Sequence, residues 1–149
     1  MGKKRKKNRY YAFDVDGDRG IVESWTECEA KVKGRQARYR GFPDRAPAEA
    51  WLDGDYEKAA VLLERALRIE PRDPEILQSM AEVQLQNGDY EQALNFAVRS
   101  YDSGPRVGEI CSRNWRTIGV AREQLGDSAG AADAVQRASS CMSTRPERL

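Results

Sequence analysis

Three aspartates in one short segment are the residues of this chain best suited to metal or phosphate chemistry. Asp14, Asp16 and Asp18 alternate with other residues, and Gly17 marks a turn among them. Carboxylates two residues apart at a strand end could hold Mg²⁺, and one of them could attack a phosphate group. The same alternation matches the first positions of a calcium-binding loop. Both kinds of site require further residues at fixed positions.

Those further residues are missing from the sequence. Residues 13–17 resemble the first motif of haloacid-dehalogenase-type phosphatases, but the Thr that follows in that family is Asp18 here, and no large parallel sheet is predicted. As a calcium loop, the segment has Arg19 where Gly is needed and Trp25 where Glu is needed. We therefore interpret the aspartates as solvated turn residues. The sequence predicts no catalytic residue, no metal site and no cofactor.

The composition indicates a charged, helix-rich protein without a membrane span. No stretch approaches the ~18 apolar residues that a span needs, and the basic start has no apolar run behind it, so no secretory signal is expected. Cys28, Cys111 and Cys141 are few, odd in number and scattered, which favours a reducing compartment over a disulfide framework. We expect a cytoplasmic protein, or a nuclear one if the basic run acts in import.

The charge is distributed unevenly along the chain. Residues 1–53 contain 13 Lys and Arg against 9 Asp and Glu, a net +4, whereas residues 54–149 contain 12 against 15, a net −3. A basic front and a mildly acidic back are typical of a polyanion-binding module joined to something else. Residues 1–9 are predicted to be a basic flexible arm.

The pattern of residues 10–53 predicts a small β-β-α-β-α domain. Strands are expected at 10–15, 21–24 and 37–42, where aromatic and β-branched residues are concentrated. Ser24 and Glu27 have the spacing of a capping box. The helix that begins there should direct Cys28, Ala30 and Val32 inward and end at Gly34. A last helix should follow Asp44.

Residues 10–52 resemble the N-terminal hybrid-binding domain of ribonuclease H1, also called the viroplasmin or caulimovirus VI N-terminal domain. The matching motifs occur in the family's order: Tyr11 to Phe13, Gly20 to Val22, Ser24 and Trp25 with Cys28, Val32 with Gly34, residues 37–42, and Ala48 to Leu52. That family grips RNA–DNA hybrid or double-stranded RNA across the minor groove. The resemblance implies the same ligands here, without sequence specificity.

By position, the resemblance implies contacts to the DNA strand and to phosphates from Tyr11, Trp25, Tyr39 and Arg40. An aromatic face packs on a deoxyribose and would clash with a 2′-hydroxyl. With the nearby basic side chains, the predicted nucleic-acid-binding residues are Tyr11, Trp25, Lys33, Arg35, Arg38, Tyr39 and Arg40. Two departures from the family reduce positive charge on or near this face: the aspartates of the hairpin turn, and Gly41 in place of a second basic residue.

The rest of the chain is repetitive. The segment from Gly54 to Ala59 recurs from Gly88 to Ala93, 34 residues later, and less closely from Gly126 to Ala131, 38 residues after that. In each copy the Gly ends one helix, the next Asp caps another, and the Ala allows close helix packing. This pattern resembles the tetratricopeptide repeat over about residues 46–141. We predict one partial and two full repeats in residues 54–141, an extra four residues in a longer loop at 103–112, and a polar tail at 142–149.

Tetratricopeptide arrays bind peptides or proteins on a concave face lined by the first helix of each repeat. The resemblance places Gln78, Glu82, Arg113 and Arg116 on that face. The Lys and Asn pattern of chaperone-binding members is absent. The last helix has an apolar edge, with Val135 at a repeat packing position, which could favour weak self-association.

The first repeat lacks a complete first helix. Ala48, Ala50, Trp51 and Leu52 finish the front domain and occupy most of that missing helix's place. We predict a short helix that ends at Asp53 and packs on both the strands and the next helix. The sequence therefore predicts an α+β domain followed by an all-α repeat array. The predicted function is a non-enzymatic adaptor for nucleic acid and a protein partner; the alternative is a purely protein-binding scaffold whose first domain only caps the repeats.

Overall fold

The structure is a computed structural model that describes residues 9–142. The predicted arm and tail lie outside the described residues except for Arg9 and Met142. The elements are the strands β1 (Tyr10–Val15), β2 (Asp18–Val22) and β3 (Arg38–Phe42), and the helices α1 (Trp25–Val32), α2 (Arg45–Leu52), α3 (Tyr56–Ile69), α4 (Pro74–Gln86), α5 (Tyr90–Ser103), α6 (Gly108–Gln124) and α7 (Ser128–Met142). None of these helices is long and apolar enough to cross a membrane.

The three strands form one antiparallel sheet in the order β2-β1-β3. Asp16 and Gly17 have φ values of 50° and 83°, as a two-residue hairpin turn requires. Because that turn is so tight, β2 begins at Asp18, three residues before the predicted start at Ile21. The predicted fold class, a small α+β domain followed by helical repeats, is confirmed.

Helix α1 covers one face of the sheet. The Ser24 hydroxyl accepts a hydrogen bond from the Glu27 amide at 3.1 Å, so Ser24 caps the helix as predicted, while the Glu27 carboxylate accepts from the Ser24 hydroxyl. Cys28 and Val32 pack against the strands, but Ala30 is exposed, and its predicted inward direction is wrong. Residues 28 and 32 are one helical turn apart on one side, whereas residue 30 lies on the opposite side.

Helix α2 covers the other face and joins the domain to the repeats. It ends at Leu52 with Asp53 as its C-cap, and it packs on β1 and on α3, as predicted. One hydrophobic cluster contains Ala12 and Phe42 of the sheet, Trp51 of α2, and Leu63 and Leu77 of the following helices. The described part of the chain therefore has a hydrophobic core that runs from the sheet into the repeats without interruption.

The repeats differ from the prediction in where the extra residues lie. Helix α6 has 17 residues and its equivalent α4 has 13, while the connections before them, residues 70–73 and 104–107, are equally long. The extra four residues therefore lengthen a helix, and the predicted longer loop is wrong. Val135 was expected at a packing position but is 60% exposed, because no further helix follows to cover it among the described residues.

A disulfide joins α6 to α7. Cys111 and Cys141 are 30 residues apart in sequence, but the antiparallel helices bring their Cα atoms to 5.8 Å. The prediction that the cysteines form no disulfide framework is wrong for this pair. Spacing along the chain did not reveal the contact, because it depends on the longer α6. Cys28 is a buried free thiol, and burial raises its pKa.

Candidate partner-binding cleft

The predicted nucleic-acid face and the predicted protein-binding face meet at one cleft of about 780 Å³. Strand β3 is an edge strand of the sheet; α4 packs against it, and α6 lines the cleft together with it. The sheet side contributes Tyr11, Trp25, Arg38, Tyr39, Arg40 and Trp51, and the repeat side contributes Glu75, Glu82, Gln86, Glu109, Arg113 and Arg116. Two sites predicted separately thus become opposite walls of a single cavity.

Three aromatic rings form one wall. Trp25 lies between Tyr11 and Tyr39, with ring centroids 5.9 and 5.6 Å from its own. The Ser24 cap fixes Trp25 as the first residue of α1, and pairing of Tyr39 with Phe13 places Tyr39 on the same face of the sheet. Trp25 and Tyr39 are 42% and 43% exposed, so their rings are available to a ligand.

Tyr11 is more enclosed than the other two rings. Its pKa is raised, first by burial and then by the negative charge of Glu75. Glu75 belongs to α4, and it lines the same cleft as Tyr11 of β1.

Arg40 connects the two walls. It forms an ion pair with Glu82 and donates a hydrogen bond to the Gln78 amide oxygen at 3.4 Å. Glu82 also pairs with Arg113, at 3.8 Å. The side chain of Arg40 is only 14% exposed, and its Nε has no hydrogen-bond partner among the described residues. Burial lowers its pKa, and the positive charges of Arg113 and Arg116 lower it further.

Gln78 lies beneath the cleft and not on its surface. It is 3% exposed, and its amide nitrogen donates hydrogen bonds to Glu82 and to the Thr117 hydroxyl. Of the residues predicted for the concave face, the cleft surface therefore has Glu82, Arg113 and Arg116 but not Gln78. Glu109, which pairs with Arg116 at 3.5 Å, was missed; its position seven residues before Arg116 places it two helical turns away on the same side of α6.

Most predicted phosphate contacts already have carboxylate partners. Arg38 pairs with Asp14 at 3.5 Å, and its guanidinium stacks on the Trp51 ring at 4.4 Å. Arg35 pairs with Asp16 at 2.9 Å. Arg35 and Lys33 are both exposed and are not among the residues lining the cleft. The hairpin aspartates, interpreted as solvated turn residues, are thus ion-pair partners of nearby basic side chains.

No arrangement for metal binding accompanies these aspartates. Across residues 9–142, no group of three or more His, Cys, Asp or Glu side chains is placed to hold a metal ion. The chemistry that the cleft offers is recognition by aromatic faces, guanidinium groups and carboxylates.

Comparisons with known proteins agree with the two-part architecture. Residues 9–52 match the family described as ribonuclease H1 N-terminal domain, and residues 50–99 match the tetratricopeptide repeat family. No curated protein matches the chain. Among solved structures, the globular C-terminal domain of P. aeruginosa LpoP is 40% identical, with a TM-score of 0.61, over 64% of this chain and 90% of that one. The chain thus belongs to the same family as the LpoP globular C-terminal domain, and it joins a ribonuclease H1 N-terminal domain to tetratricopeptide repeats.

Proposed function

We propose that the protein is a non-enzymatic interaction module that binds a peptide segment of a partner protein in the cleft between β3 and the repeats. The observation that carries the proposal is that the two recognition faces form one cavity, lined by Trp25 and Tyr39 on one side and by Arg113 and Arg116 on the other. Its volume is within the range of ligand sites that enclose most of their ligand. The match to the tetratricopeptide repeat family supports a protein-binding role for the repeat side of this cavity.

The charges of the cleft favour a peptide over a nucleic-acid duplex. Arg40, a predicted phosphate contact, is enclosed by Glu82 and the repeats. Arg35 and Arg38 are paired with aspartates of the hairpin. Nonspecific duplex binding depends on cations that can neutralise phosphates, so each of these pairs reduces the expected affinity.

The proposal is tested by selecting ligands from a displayed library of short random peptides and measuring their binding by fluorescence anisotropy. Trp25→Ala and Arg116→Gln should each weaken binding several-fold, because both side chains line the cleft and are accessible to a ligand, at 42% and 58% exposed. Arg137→Gln is the matched control, since Arg137 is an exposed arginine on α7, outside the cleft. Selected peptides that bind all variants equally would show that the cleft is not the site.

Binding to RNA–DNA hybrid or double-stranded RNA is the second candidate function. It is supported by the exposed rings of Trp25 and Tyr39 and by the match to the ribonuclease H1 N-terminal domain. Measured at two salt concentrations, hybrid should then bind more tightly than double-stranded DNA, and Trp25→Ala should remove that preference. Equal affinity for the two duplexes would exclude this function.

A further inference from the structure

The outer edge of β3 presents unpaired backbone groups to the cleft. The tight turn makes Val15 and Asp18 a hydrogen-bonded pair, so odd-numbered residues of β1 direct their amides to β2 and even-numbered residues direct theirs to β3. Ala12 pairs with Arg40, which places the Arg40 backbone toward β1. The backbone groups of Tyr39 and Gly41 consequently point away from the sheet.

A hydrogen bond from helix α4 confirms this direction for Gly41 and leaves the backbone groups of Tyr39 open. The Ser79 hydroxyl of α4 donates a hydrogen bond to the Gly41 carbonyl at 3.2 Å. The Tyr39 amide and carbonyl have no such partner among residues 9–142. An exposed strand edge of this kind is a template for the backbone of another chain.

The two walls of the cleft would receive alternate side chains of such a strand. Tyr39 and Trp25 are on the α1 face of the sheet, whereas Arg40 is on the α2 face, opposite Ala12. Successive side chains of an added strand point to opposite faces. A residue opposite Tyr39 would therefore contact the aromatic rings, and the residues on either side of it would point toward Arg40 and Arg113.

Around Arg40, two guanidinium groups face one carboxylate, while Glu75 and Glu109 also line the cleft. Arg40 and Arg113 share the single carboxylate of Glu82, and the Arg40 Nε lacks a partner among the described residues. Arg116 adds a third guanidinium, and its pairing with Glu109 joins two side chains that are each more than half exposed. An incoming carboxylate would relieve repulsion among guanidinium groups in a partly enclosed site, where charge-assisted hydrogen bonds are strong.

We propose that the partner segment binds as an extended strand added to the β3 edge, with an aromatic or apolar side chain against Trp25 and Tyr39 and acidic side chains at the flanking positions against Arg40 and Arg113. This inference rests on the proposed function and specifies the chemistry of the peptide. It commits to an acidic peptide, not to nucleic acid, because backbone pairing at Tyr39 requires an amide chain.

Two features of the selected peptides test the inference. Asp or Glu should be enriched two positions apart, with an aromatic or apolar residue between them. N-methylation of the peptide backbone should abolish binding at alternate residues and leave it unchanged at the residues between, since only every second amide faces β3. An equal loss of binding at every N-methylated position, or no loss at any position, would contradict strand addition.

A charge variant separates this inference from the proposed function. Arg113→Gln should weaken binding of the acidic peptides about tenfold, the loss expected for one charge-assisted hydrogen bond, while Arg137→Gln should not. If peptides bind at the cleft but carry no acidic pattern, or bind the Arg113→Gln variant with unchanged affinity, the inference is wrong and the proposed function stands. If no peptide is selected, or if only the hybrid binds, both are wrong.

Discussion

Replacing Trp51 with Ala should destabilise the sheet and the repeats together. Trp51 is 2% exposed in the cluster that contains residues of both parts, its ring packs near Phe42, and its indole donates a hydrogen bond to Gln86 at 2.9 Å. Truncating a buried Trp to Ala costs about 3–5 kcal/mol, because the cavity that remains collapses only partly. The substitution also removes the stacking of the Arg38 guanidinium on the Trp51 ring, which adds to this cost.

The other two tryptophans report on the two parts separately. Trp25 belongs to the front domain and Trp115 to α6. In the Trp51→Ala background, a further Trp25→Phe or Trp115→Phe substitution leaves one fluorescent reporter for urea unfolding. We expect both reporters to give the same midpoint, lowered by an amount that corresponds to about 3–5 kcal/mol.

The control is Val135→Ala, which removes exposed surface on α7 and should change stability by less than about 0.5 kcal/mol. Two separate midpoints, or a shift at Trp25 with none at Trp115, would refute the continuous core and make α2 a linker.

Three further predictions concern the cysteines and the cleft. Reducing the Cys111–Cys141 disulfide, which closes a loop of about 30 residues, should lower the free energy of unfolding by about 2–4 kcal/mol. Urea midpoints measured with and without reductant test this, and a Cys111→Ala, Cys141→Ala variant should have the same midpoint in both conditions. Cys28 should resist Ellman's reagent at pH 8 in the native protein, because burial raises its pKa and excludes the reagent, and it should react when urea is added without reductant. A rapid native reaction would contradict its burial. A selected peptide should be displaced by any hybrid that binds, because both would use the same cleft; a ternary complex in sedimentation would show separate sites.

Local signals in the sequence predicted most of the fold. The capping of α1 by Ser24, the presence of a hairpin turn after β1, and the packing of Ala59 and Ala93 each depend on neighbouring residues and on intrinsic conformational preferences. Even the double role of α2 was predictable, since Ala48, Ala50, Trp51 and Leu52 occupy most of the place of the first repeat's missing helix.

Features that depend on how elements meet were not predictable. The disulfide requires a longer α6, and four extra residues read equally well as a loop. The burial of Gln78 and the pairing of Arg40 with Glu82 arise because β3 packs against α4. Sequence resemblance predicted a separate binding face for each module. Neither family predicts that the face of the front domain lies opposite the face of the repeats. The predicted cytoplasmic location stays a prediction; a disulfide is more typical of oxidising compartments.

A partner that binds between the sheet and the repeats must contact both. The most direct test is a titration of the isotope-labelled protein with a selected peptide, followed by NMR. The indole signal of Trp25 and the amide signals of Tyr39 and Arg113 should shift together with one affinity, while the indole signal of Trp115, which is not among the residues lining the cleft, should not. Shifts confined to the repeats, or a shift at Trp115 without one at Trp25, would show that the partner does not bind in the cleft.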